Sequence, residues 1–119
     1  MPILRKNWDV IPGESLNFNI DYREGDHLDP ENLVAIDLTN YIATFVATND
    51  DSVLVELTEP YDVYKDALEG HLEFSISPEN VLKLVQSDPP SYAVFLENIN
   101  DASDKFAILR GHIRVEKNA

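Results

Sequence analysis

The chain has 119 residues, a length that suits one domain with its own core. It has no cysteine, which excludes disulfides and thiolate chemistry, and no apolar run approaches the roughly 18 residues of a membrane helix. Its net charge is −13, and residues 7–104 hold only three basic side chains against 21 acidic ones. Such a surface repels phosphate backbones and anionic lipid, so nucleic acid and membrane are not expected partners.

The start, Met1 to Lys6, is too short and polar for a secretory signal. Residues 1–13 read as a short first strand or extended arm ending in the turn Ile11-Pro12-Gly13. Trp8, the single tryptophan, is expected to cover one end of the core. Glu14 to Tyr22 is the clearest strand. Leu16, Phe18, Ile20 and Tyr22 alternate with polar residues, the pattern of a strand with one wet face. Residues 23–36 read as a polar loop, with Leu33 to Ile36 returning toward the core.

Ile36 to Tyr41 forms a tight corner before a strand over Tyr41–Thr48. Both faces of that strand are fairly apolar, which predicts a central place or partial cover on the second face. Asn49-Asp50-Asp51 is a turn, and Val53 to Thr58 the next strand. Residues 59–69 suggest an extended segment, and His71 to Ser77 alternates again. Ser77-Pro78-Glu79 has the chemistry of a helix start, with a capping hydroxyl, a proline at the first position and an acid at the positive end. Asp88-Pro89-Pro90 stops that helix.

The end of the chain, Ser91 to Glu116, reads as a hairpin with a turn at Asn100–Asp104. Its last strand changes parity. Phe106 and Ile108 point one way, while Leu109, Ile113 and Val115 point the other, which places a bulge between Ile108 and Leu109. The sum is about seven strands with turns every 8–12 residues and one short helix before the last hairpin. That is the signature of an all-β antiparallel sandwich, as a single domain over residues 1–119.

Three places could carry chemistry. Glu24, Asp26, His27 and Asp29 could offer oxygens to calcium, but the glycine and terminal glutamate of a calcium loop are missing, so no metal is expected. His71 and Glu73 share a strand face and could form an acid–base pair. No nucleophile motif or phosphate-binding loop accompanies them, so no catalytic residue and no cofactor is expected. Arg110, His112 and Arg114 form a basic stripe on an acidic protein. Either it is an ordinary wet strand face or it docks onto an acidic surface, such as that of another copy; the histidine would make that contact pH-sensitive.

The chain also resembles a known group. Ile11-Pro12-Gly13-Glu14-Ser15-Leu16-Asn17-Phe18 is similar to its first strand and Asp37-Leu38-Thr39-Asn40-Tyr41 to its corner. Gly70 to Glu79 is similar to its strand-then-helix step, and Tyr92-Ala93-Val94-Phe95-Leu96 with Leu109 to Val115 to its closing hairpin. The group is the small immunoglobulin-like domains of tailed-bacteriophage structural proteins, of which the N-terminal domain of baseplate upper proteins and tail-fibre anchors is the nearest type. The corner departs at Asn40, where glycine is usual, and the loop Glu24–Ala35 is longer than in the group. The resemblance implies a virion protein, made in the host cytoplasm, that assembles with other virion proteins and forms a homo-oligomer. It brings no catalytic residue. Trp8, Arg110, His112 and Arg114 are the expected interface residues. Capsid decoration on the same fold is an alternative. So is a carbohydrate-binding module, which would display Trp8, Tyr61 and Tyr64 as stacking rings.

Overall fold

A computed structural model describes residues 4–24, 34–50, 52–59, 62–86 and 88–115. The strands are β1 (Leu4–Arg5), β2 (Trp8–Val10), β3 (Leu16–Asp21), β4 (Arg23–Glu24), β5 (Val34–Ala35), β6 (Tyr41–Asn49) and β7 (Ser52–Thr58). They continue as β8 (Val63–Asp66), β9 (His71–Ile76), β10 (Ser91–Asn98) and β11 (Asp101–Val115). A 3-10 turn covers Ala67–Glu69, and the helix α1 covers Pro78–Lys83.

Two sheets face each other. The larger runs β1-β11-β10-β6-β7, with β2 also on β11; the smaller runs β3-β9-β8. The chain crosses between sheets after β2, after β3, after β7 and after β9, and each hairpin stays within one sheet. This is the all-β sandwich that the strand spacing predicts. One feature is not antiparallel: β1 and β2 both lie parallel to β11. The strand segments also outnumber the expected seven, because the N-terminal arm splits into two short strands and β4 and β5 form a ribbon of their own.

The core lies between the sheets. Phe18 is stacked on Phe74 at 4.9 Å and on Trp8 at 4.8 Å, and Phe45 on Tyr92 at 5.5 Å. Phe18, Ile20, Leu72, Phe74 and Ile76 come from the small sheet, and Ala43, Phe45, Ala47, Val94 and Leu96 from the large one; all are buried. Each set sits at alternate positions along its strand, as a sheet with one wet face requires. Strand β6 is central, between β10 and β7. Its second face, Ile42, Thr44, Val46 and Thr48, is half-buried. Lys65 clips the two sheets at one edge. Its ammonium donates to the Tyr41 carbonyl at 2.6 Å and pairs with Glu59 at 3.0 Å.

The predicted local features have clear physical counterparts. Ser77 accepts from the Asn80 amide at 3.2 Å and Pro78 opens α1. In β11 the register passes from Val94↔Leu109 to Phe95↔Ala107, so Ile108 is the extra residue of a bulge. Ala107, Ile108 and Leu109 are consequently all buried. The hairpin turn lies earlier than expected, at Ile99–Asn100, and β11 begins at Asp101. The Asp101 carboxylate accepts from the Ser103 amide and hydroxyl, which holds its start in shape. At the 37–41 corner the Asp37 carboxylate accepts from the Thr39 amide and hydroxyl, and the Tyr41 amide donates to the Leu38 carbonyl. Asn40 needs no left-handed backbone there: among the described non-glycine residues only Asp50 has positive φ.

Candidate functional site: two outer faces of opposite charge

The arm crosses β11 at Gly111. A Cβ at that position would stand 1.8 Å from the Lys6 carbonyl oxygen, so only glycine admits the crossing. Around it the Lys6 amide donates to the Arg110 carbonyl at 2.9 Å. The Asn7 side chain accepts from the His112 amide at 2.9 Å, and the Tyr92 hydroxyl donates to the Lys6 carbonyl at 2.5 Å. Burial pushes the Tyr92 phenol up to about 12. These contacts fix Arg5 beside Arg110, its register partner on the parallel strand.

Arg5, Asn7, Arg110 and His112 border a shallow depression of about 640 Å³ on the outer face of the large sheet. Its floor is apolar, with Val46, Ala93 and Phe95. Lys105 adds a further cation, its ammonium 5.0 Å above the Phe95 ring. Neither Arg5 nor Arg110 has an ion-pair partner among the described residues. Two adjacent unpaired guanidiniums over an apolar floor can take up a carboxylate-bearing surface with little rearrangement.

The four residues expected at an interface are placed as follows. Arg110, His112 and Arg114 are all exposed on β11. Arg110 and His112 border the depression; Arg114 does not, and pairs instead with Asp9 of β2 at 3.5 Å. Trp8 is half-buried, stacked inward on Phe18 with the Lys6 ammonium 4.5 Å above its ring. Arg5 and Asn7 carry no signal in the sequence. They belong to an arm whose strands are too short to show any period, and only the parallel pairing brings them to Arg110.

The outer face of the small sheet is the opposite in charge. His71 of β9 stands 2.7 Å from Asp21 through Nδ1 and 3.4 Å from Glu73 through Nε2. The hydrogen bond to Asp21 raises the His71 pKa above its ordinary value against the effect of burial, and Glu73 adds to the rise. The expected His71–Glu73 pair is thus a histidine held between two carboxylates. Asp21 comes from a strand 50 residues away, and the sequence carries no signal of that register. Beside this cluster Asn17, Asn19, Asp62, Tyr64, Glu73 and Ser75 line a depression of about 690 Å³. Tyr64 stands out from it, 57% exposed. Asp26, His27 and Asp29 of the loop and Tyr61 lie outside the described residues, as does the Glu24 side chain. Among the described residues no group of three acidic or histidine side chains is arranged to hold a metal ion.

No protein-family model matches the chain, and no curated protein matches it.

Proposed function

We propose that this chain is a structural protein of a tailed-phage virion, an adaptor in the tail, baseplate or fibre anchor that works through protein–protein contacts without catalysis. The resemblance of its first strand, its 37–41 corner and its closing hairpin to that group supports the reading, and the all-β sandwich agrees with it. The observation that carries the mode of action is the unpaired Arg5–Arg110 pair over Val46, Ala93 and Phe95. On a chain of net charge −13, cations gathered on one sheet face make a directional docking surface. Capsid decoration would use the same surface at a different place in the particle.

Immunogold labelling of phage particles with antibody to this chain tests the reading. Label at the tail, neck or capsid supports a virion role and chooses between adaptor and decoration. Particles without label, both intact and after mild disruption, would overturn it.

A carbohydrate-binding reading has one observation in its favour: exposed Tyr64 beside Asn17, Asn19 and Glu73 on one sheet face. An aromatic ring flanked by amides and a carboxylate is a surface on which a sugar ring can stack and hydrogen-bond. Trp8 does not join it, because its ring is stacked on Phe18. Binding of a glycan panel that is lost in Tyr64→Ala would move this reading to the front.

A further inference from the structure

We infer that the basic depression of one copy docks on the acidic outer face of the small sheet of the next, so that the chain associates head to tail. This rests on the proposed docking role of the basic face and names its occupant. Both halves of the contact are on the same molecule. One half is Arg5, Arg110 and His112 around an apolar floor. The other is Asp62, Glu73 and the exposed Tyr64, with Asp21 held alongside by His71. The cations lack carboxylate partners within their own chain among the described residues. The depression on the opposite sheet presents Asp62, Glu73 and a large ring, and the lysine that also lines it, Lys65, is already paired with Glu59. The two surfaces lie on different sheets, so one copy can use both at once. Contacts between unlike faces do not close on themselves as a dyad-related pair does, and the product is a chain of copies, or a ring if the rotation between neighbours closes.

The net charge sets the salt dependence. The shortest extent of the molecule is 23 Å, so neighbouring centres are farther apart than the screening length of about 8 Å at physiological salt. Overall repulsion is then screened while close contacts between the patches persist. At roughly 0.01 M salt the screening length is about 30 Å and repulsion dominates; at about 1 M it is about 3 Å and the patch attraction fades. Association therefore passes through a maximum at intermediate salt.

Sedimentation velocity of the full chain across salt and protein concentration tests this, with two variants checked for native circular dichroism. Arg5→Glu with Arg110→Glu makes both faces acidic; Asp62→Lys with Glu73→Lys makes both basic. The expected results are a wild-type average mass above twice the monomer at intermediate salt, monomers for each variant alone, and association restored when the two are mixed. A wild type that stays monomeric throughout overturns the inference. So does an Asp62→Lys, Glu73→Lys variant that associates like the wild type, which would mean that the basic depression does not dock on this acidic face. A variant without native circular dichroism is replaced by its single substitution, Arg110→Glu or Asp62→Lys, and read in the same way. The two readings fail separately: particles that label with antibody beside a monomeric chain in solution remove the head-to-tail contact and leave the adaptor, whereas unlabelled particles beside a chain that associates remove the adaptor and leave the contact.

Discussion

Tyr92 and Lys6, 86 residues apart, are joined by one hydrogen bond: the phenol of a core strand donates to the backbone carbonyl of the N-terminal arm at 2.5 Å. The ring itself stacks on Phe45 in the core. One side chain thus serves the packing between the sheets and the seating of the arm. Replacing it by phenylalanine keeps the ring and removes the donor. Tyr92→Phe is expected to lose about 1 kcal/mol in denaturant unfolding. Amide exchange at Lys6 and His112 is expected to quicken more than in the rest of the large sheet.

The same phenol gives an alkaline signature. Its pKa in the folded chain is pushed up to about 12, above the ordinary value of 10.0 for a free tyrosine. A raised pKa contributes stability that is whole below pH 10 and is lost as the pH climbs toward 12. Unfolding free energy measured from about pH 9 to 12 is expected to fall across that span. Tyr92→Phe is expected to flatten the part of the fall that belongs to this group.

Gly111→Ala is expected to destabilise the protein more than an exposed strand glycine would suggest. The new methyl collides with backbone, the Lys6 carbonyl, which has no flexible end to swing aside. Relief requires the arm to lift, with loss of the β1 and β2 pairings to β11. A fall of about 1–3 kcal/mol is expected in thermal or denaturant unfolding, in the range of overpacked cores. Tryptophan fluorescence would report the arm directly, because Trp8 rides on it.

His71 predicts a second, milder pH dependence. Its pKa is raised by Asp21 first and by Glu73. The stability it contributes is complete below the ordinary histidine value of 6.5 and is lost as the pH rises through its higher folded value. Titration of the ring by NMR is expected to give a midpoint above 6.5, and Asp21→Asn is expected to bring it down. A midpoint unchanged by Asp21→Asn would contradict the 2.7 Å contact.

Phe18 is the residue on which the aromatic core turns, within stacking or tilted contact of Trp8, Phe45 and Phe74. Phe18→Ala is expected to cost about 3–5 kcal/mol in unfolding free energy. It is also expected to shift Trp8 emission to the red as the indole loses its inner neighbour.

Much of this fold is legible because its strands are wet on one side. Leu16 to Tyr22 and His71 to Ile76 alternate cleanly, and the period alone fixes which side chains enter the core. The bulge at Ile108 is legible for the same reason, since apolar parity can change within one strand only where an extra residue enters the ladder. The helix declared itself through Ser77 and Pro78, whose chemistry is local. What stayed hidden is what depends on register between distant strands. Strands β1 and β2 hold two and three residues, and no period can show in so few. Their parallel run along β11 places Arg5 and Asn7 beside Arg110 and His112, and nothing in the arm announces it. Asp21 and His71 meet through the pairing of β3 with β9, a relation settled by how whole strands align.

The parallel pairing of arm and last strand also decides how the molecule carries tension. Leu4 lies opposite Leu109, while Val10 lies opposite Val115. A pull applied between residues 4 and 115 drags the arm backward along β11 as β11 is drawn forward. The backbone bonds of both short ladders then lie across the line of slip and are strained together rather than broken one after another. The Tyr92–Lys6 bond and the Gly111 crossing sit between those ladders and resist the same slide. Such a module is stiff along its length under load, and its weak direction is the peeling of the arm away from the sheet.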